Sequence, residues 1–96
     1  MVTGSVPPAL TVDAPDRVRA GETAVLIFGG AGDPQVEVRD PAGRLVRAYS
    51  GNVRVGWPQP WRIPFAINDT PGRWTVTVLD ALGGARIERG LELMAP

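Results

Sequence analysis

Short runs of alternating hydrophobic and polar residues make up most of this chain, and turns rich in Gly and Pro separate them. The run at 73–80, RWTVTVLD, puts Trp74, Val76 and Val78 on one face and Thr75, Thr77 and Leu79 on the other. A period of two is that of a β-strand with one face in a core. No segment keeps a helical period over three turns. The pattern therefore predicts an all-β chain in which helix is nearly absent.

The alternating runs predict eight strand segments, at 9–13, 22–28, 35–39, 45–49, 53–55, 61–67, 73–80 and 85–93. Residues 22–28 are apolar on both faces, which predicts a central strand covered on both sides. Pro64 cannot donate to a ladder, so the strand 61–67 is expected at an edge of its sheet. The short segment 53–55 is expected at another edge, and short edges of this kind favour a monomer.

Two turns predict hairpins. Asp40 begins a tight turn, Pro41 stands at its φ-restricted second position, and Gly43 stands where a positive φ is wanted. Residues 45–49 should therefore run back antiparallel to 35–39. The turn DALGGA similarly returns 73–80 into 85–93. Two hairpins, with turn signals every 8 to 12 residues or so, predict an antiparallel β-sandwich of about seven strands.

The length of the chain, 96 residues and 10.2 kDa, fits one domain. We assign residues 9–96 to that domain and residues 1–8, which end in a Pro pair, to an N-terminal tether. No apolar run approaches the roughly 20 residues of a membrane span.

Composition excludes several kinds of chemistry. The net charge is zero, and the ten basic residues, all Arg, are interleaved with acids, so we expect no nucleic-acid partner. Without Cys there is no disulfide or thiol nucleophile, and without His there is no conventional catalytic triad. The carboxylate pairs Glu88 with Glu92 and Glu22 with Glu37 are placed on exposed strand faces, which do not favour acid–base catalysis. We therefore expect no catalytic residues and no cofactor.

Three stretches together carry a family resemblance: AGETAVLIF at 20–28, VEVRDPAGRLV at 36–46, and NDTPGRWTVTVLDALGGARIERGLEL at 68–93. With them the chain, from about residue 9, resembles the immunoglobulin-like or fibronectin type III-like accessory domains of bacteria. The resemblance implies an immunoglobulin-like sandwich that acts as a non-catalytic spacer or buttress in a larger secreted or surface protein. Its partners would be neighbouring domains, and its location extracellular or at the cell surface. The only tyrosine, Tyr49, is not placed like the corner tyrosine of that family.

Two tryptophans form a candidate binding site. Trp57 and Trp61 flank the stiff segment PQP, which would present two indole rings together to a glycan or a protein. A sheet edge is the other surface that such a binding module could use. In the other interpretation, Trp57 covers a sheet end and Trp61 begins the apolar face that continues with Ile63, Phe65 and Ile67. Trp74 alternates with buried valines and is predicted to lie in the core.

Oxygen ligands for a metal are available at Asn68, Asp69 and Asp80, and further carboxylates at Asp13, Asp16, Asp33 and Asp40. Their spacing does not match a calcium-binding loop, which supplies six to eight oxygens from nearby positions. A turn stabilised by the side chains of Asn68 and Asp69, ahead of Pro71, is the simpler interpretation. We therefore expect no metal site.

Overall fold

The computed structural model describes residues 10–29, 34–52, 60–80, 84 and 86–96. This part contains eight strands: β1 (Thr11–Asp13), β2 (Arg17–Arg19), β3 (Thr23–Gly29), β4 (Pro34–Arg39), β5 (Gly51–Asn52), β6 (Trp61–Pro64), β7 (Gly72–Asp80) and β8 (Arg86–Met94). A three-residue 3-10 helix, Arg47–Tyr49, is the only helical segment described, and no helix in these ranges is long and apolar enough to cross a membrane. The prediction of an all-β chain is confirmed.

The strands form two sheets, one of three strands in the order β1-β3-β6 and one of five in the order β2-β8-β7-β4-β5. Every strand pair in the described residues is antiparallel except β2 with β8, which is parallel, so the predicted antiparallel arrangement is wrong at that pair. The two inner faces share one core, to which the three-stranded sheet contributes Leu26 and Ile63 and the five-stranded sheet Val38 and Val78, all 0% exposed. Burial of these apolar faces is the main stabilising term of such a fold.

The β7–β8 hairpin is the longest paired element of the fold. Its register runs from Gly72 opposite Leu93 to Leu79 opposite Arg86, which confirms the predicted hairpin. The inner face of β7 is buried as predicted, and Thr77 on its outer face is also only 3% exposed. Strand β7 is the central strand of the five-stranded sheet, with β8 and β4 on its two sides.

The predicted strand at 45–49 is wrong. The turn forms as expected, because Asp40 Oδ1 accepts the Ala42 and Arg44 N–H groups, each at 2.9 Å, and Gly43 has φ +84°. Pairing then stops after one bridge between Arg39 and Leu45, and a 3-10 helix follows. Hydrogen bonds of the Ser50 hydroxyl take the place of further strand pairing there. Ser50 Oγ accepts from the Val38 N–H at 2.9 Å and donates to the Val46 carbonyl at 2.8 Å.

Strand β3 lies in the centre of its sheet, as predicted, but only one of its faces is covered. Ala24, Leu26 and Phe28 are buried on the inner face, whereas Val25 is 38% and Ile27 54% exposed on the outer face. The expectation of cover on both sides is wrong because the core lies on one side of this sheet only.

Strand β6 is an edge strand, as Pro64 predicted, but it ends at that proline instead of continuing to residue 67. Phe65 remains buried, and its N–H bonds the Glu22 carbonyl at 3.1 Å. The chain then turns at 66–69, so Ile67 is 68% exposed and does not join the predicted apolar face. The predicted tether at 1–8 and the predicted strand at 53–55 lie outside the described residues.

The register also fixes where the described chain enters and leaves the fold. Thr11 pairs with Gly29 at the far end of β3, so the chain enters at that end. Met94 pairs with Arg19 and accepts the Ala20 N–H, at the turn where β3 begins. The first and last described strands therefore meet opposite ends of the fold.

Candidate functional site

Trp61, one of the two candidate binding tryptophans, closes an edge of the core. It is half-buried, and its indole N–H donates to the Tyr49 carbonyl at 3.0 Å. The ring lies against Gly51, where an added Cβ would stand 3.0 Å from the indole. Trp61 thus links β6 of one sheet to β5 of the other. Trp57 lies outside the described residues, so the pairing of the two rings is not tested.

Trp74 is a core residue, as predicted. It is 2% exposed, and its indole N–H donates to the Thr70 carbonyl at 2.9 Å. Its ring packs edge-to-face on Phe65, with centroids 5.0 Å apart, and lies 6.1 Å from Tyr49. The contacts satisfy both the polar and the apolar parts of the side chain.

Tyr49 and Asp69 form a hydrogen-bonded clamp at the corner between β6 and β7. The Tyr49 hydroxyl donates to Asp69 Oδ2 at 2.6 Å, and the Ala66 N–H approaches both groups, at 2.7 Å from Asp69 Oδ2 and 3.2 Å from the Tyr49 oxygen. The Tyr49 ring also meets Phe65 edge-on at 5.5 Å. Asp69 therefore stabilises the corner through the hydrogen bond that its carboxylate accepts from the N–H of Ala66. The sequence did not reveal that Tyr49 bonds this turn, because no local spacing links it to a residue twenty positions later.

The pKa of Tyr49 is raised above its ordinary value of 10.0, first by burial and then by the hydrogen bond to Asp69. A raised pKa in the folded state means that the clamp contributes fully below about pH 10 and is lost as pH rises through the folded value. The chain has no Lys, Cys or His and one Tyr, so Tyr49 is the only side chain that titrates in this range.

We therefore expect the free energy of unfolding to fall above about pH 10 in the wild type. The measurement is a series of urea melts between about pH 8 and 12, with tyrosinate absorbance recorded in parallel. Tyr49→Phe should show no such alkaline loss. Equal pH profiles for the two proteins would contradict the role of the clamp.

The candidate metal ligands are not brought together. Asp69 belongs to the clamp before β7, whereas Asp80, 9% exposed, ends that nine-residue strand. Nine residues of strand span roughly 30 Å, so the two carboxylates lie at opposite ends of the fold. Asn68 is exposed in the turn. In the ranges that the structure describes, no group of three or more His, Cys, Asp or Glu side chains is placed to hold a metal ion.

The carboxylate pairs are likewise separate or exposed. Glu88 and Glu92 both face solvent on β8, and Glu88 lies 3.7 Å from the exposed Arg86 guanidinium. Glu22 Oε1 accepts the Arg19 N–H at 3.1 Å in the turn before β3, while Glu37 lies on β4 of the other sheet. Neither pair is arranged for acid–base catalysis.

An open groove of about 470 Å³ lies beside β3, where β1 leaves the three-stranded sheet. Neither the protein-family models nor the curated proteins searched include a match to this chain.

Proposed function

We propose that the chain is an immunoglobulin-like β-sandwich that serves as a non-catalytic structural module of a larger protein. The strand order supports the fold: β1-β3-β6 corresponds to the immunoglobulin order A-B-E, and β8-β7-β4-β5 to G-F-C-C′. Strands β1 and β2 then act as two halves of one first strand, which changes sheets at 14–16. Counted in that way, the strands of the described residues number seven.

The observation that carries the function is the position of the chain ends. The described chain enters beside Gly29 and leaves beside Arg19, at the other end of β3. Polypeptide attached before and after the module is then held about 30 Å apart, the length of its longest strands. This is the geometry of an in-line spacer. On the family resemblance, we propose that this spacer belongs to a bacterial secreted or surface protein.

The internal use of the distinctive side chains supports the same proposal. Trp61, Trp74, Tyr49 and Asp69 are the residue types that a glycan or metal site would use, and each has its polar atom bonded within the fold. Glycan or protein binding by Trp57 with Trp61 was the alternative. It loses support because Trp61 packs between the two sheets.

The spacer is tested by fusing donor and acceptor fluorescent proteins to the two ends of the full chain. A matched control keeps the acceptor at the C-terminus and moves the donor to the turn at 42–43, which lies at the same end of the fold as Met94. We expect lower energy transfer in the terminal fusion, because about 30 Å of strand separates its reporters. Equal transfer in both fusions would contradict the in-line geometry.

A second measurement addresses the alternative. Tryptophan fluorescence is titrated with soluble cello-, xylo- and chito-oligosaccharides, and we expect no saturable change. Saturable binding that is lost in a folded Trp61→Ala variant would contradict the spacer proposal and favour a glycan-binding module.

A further inference from the structure

The outer face of the three-stranded sheet carries an apolar stripe, Val25 and Ile27, that no other part of the described chain covers. Their neighbours along β3 alternate with them and are 0 to 4% exposed, whereas the stripe is 38% and 54% exposed. Pro64 continues the exposed surface on the edge strand, beside Thr23. A β-branched apolar face of this kind has the composition of a covered surface.

Opposite charges flank the stripe. Asp13 on β1 pairs with Ile27, and Arg62 on β6 pairs with Val25. Directly opposed residues of an antiparallel pair point to the same face of the sheet, so both charges border the stripe, one on each side. Within the part of the chain that the structure describes, neither side chain has a hydrogen bond or an ion pair.

The two flanks also differ in shape. On the Asp13 side, β1 leaves the sheet, and the open groove of about 470 Å³ runs along β3. The residues that line it include the acidic Asp13 and Glu22, the basic Arg17, and the stripe itself. On the other side, Arg62 stands exposed on the edge strand β6. One flank is thus a groove lined by two acidic residues and one basic residue, and the other flank carries the exposed Arg62.

We infer that a second copy of this chain covers the stripe in a symmetric dimer. A two-fold interface requires a surface that complements itself, and an acid and a base on opposite sides of an apolar stripe meet that requirement. The Arg62 side chain of each copy enters the groove of the other beside Asp13, while Val25 and Ile27 pack against their counterparts. The net charge of zero adds no overall repulsion between copies.

This inference departs from the monomer that the sequence predicts. That prediction considered association through the sheet edges only, and the structure also leaves the outer face of β3 open. The stripe has only two apolar side chains in each copy, so we expect an interface below the standard size of about 1,600 Å² and a weak dimer, with a dissociation constant between about 10 µM and 1 mM.

Sedimentation equilibrium of the full chain tests the dimer between about 10 µM and 1 mM, at low and high salt. We expect a concentration-dependent dimer that weakens severalfold at about 0.5 M NaCl, since salt screens the Asp13–Arg62 pairs. A chain that stays monomeric at about 1 mM would overturn the inference and assign the stripe to a different partner.

Charge reversal locates the interface. Arg62→Asp and Asp13→Arg should each weaken the dimer about tenfold or more, because each places like charges opposite each other. The double variant should restore association to within about threefold of the wild type, since the pairs are then reversed but still complementary. Arg44→Asp, on the exposed turn of the other sheet, is the matched control and should leave association unchanged.

Thermal melts confirm that each variant is folded before its association is compared. A dimer that keeps its affinity in both single variants would overturn the proposed interface. Failure of the folded double variant to recover would overturn the reciprocal pairing. None of these results bears on the in-line spacer geometry, which the reporter fusions test in dilute solution.

Discussion

Replacing Trp74 with alanine is expected to lower the free energy of unfolding by about 3 to 5 kcal/mol, the usual range for a large aromatic side chain removed from a core. Trp74 is 2% exposed, packs on Phe65 and bonds the Thr70 carbonyl, so the substitution leaves a cavity and an unpaired acceptor. Domains of this size are held by about 5 to 15 kcal/mol, so the loss is a large part of the total. Denaturant melts followed by far-UV circular dichroism measure it.

Two other tryptophan variants serve as comparisons. Trp61→Ala should cost less than Trp74→Ala, because Trp61 is only half-buried at the edge of the core. The sequence alone predicts a loss of about 1 kcal/mol or less for Trp57→Ala, as for a surface loop residue. A Trp74→Ala protein as stable as the wild type would contradict the core assignment and the register of β7.

Replacing Asp69 with alanine is expected to lower the free energy of unfolding by about 2 to 3 kcal/mol, the scale of lost hydrogen bonds to a charged acceptor. The carboxylate accepts from the Tyr49 hydroxyl and from the Ala66 N–H, so its removal leaves two donors with weaker partners. The corner between β6 and β7 depends on both bonds. Urea melts at about pH 7, where Tyr49 is neutral, measure the change.

The matched control is Asn68→Ala, the adjacent and exposed position of the same turn, with an expected loss within about 0.5 kcal/mol. A double-mutant cycle of Asp69→Ala with Tyr49→Phe should show a coupling of about 1 kcal/mol or more, because the two groups are directly bonded. Equal losses at positions 68 and 69, or no coupling, would mean that the corner does not depend on the clamp.

Local patterns predicted those parts of the fold that depend on neighbouring residues. The period of two in 73–80 placed Trp74 on the inner face, and the turn DALGGA gave the β7–β8 hairpin. Pro64 indicated an edge strand, because proline has no backbone N–H to donate to a neighbouring strand, whichever strand that is. These features are properties of single elements and can be read without knowing the tertiary structure.

Features that depend on distant residues were not predictable. A 3-10 helix replaces the strand expected at 45–49, because the Ser50 hydroxyl accepts the hydrogen bond of the Val38 N–H, twelve residues earlier. Strand β2 was missed because its three residues pair in parallel with β8, at the far end of the chain. The exposure of Val25 and Ile27 reflects which side of the sheet the core occupies, which no pattern within 22–28 reveals.

In the candidate site too, the features set by neighbouring residues were predictable and those set by distant residues were not. The sequence identified Asp69 as a residue of the turn, since Asp commonly caps turns, but its bond to Tyr49 joins residues twenty positions apart. Trp61 was correctly given two interpretations, because an indole beside Pro serves equally in a core edge or a binding loop. Its hydrogen bond to the Tyr49 carbonyl could be seen only in three dimensions.

The parallel pairing of β2 with β8 gives the fold a mechanical property. When tension pulls on the two ends of the described chain, β2 is drawn toward the end where the chain enters and β8 toward the opposite end. The two strands lie side by side, so the force shears their ladder instead of peeling it. All of the ladder's hydrogen bonds then share the load at once, and three short pairs at one edge resist the stretching of the whole domain.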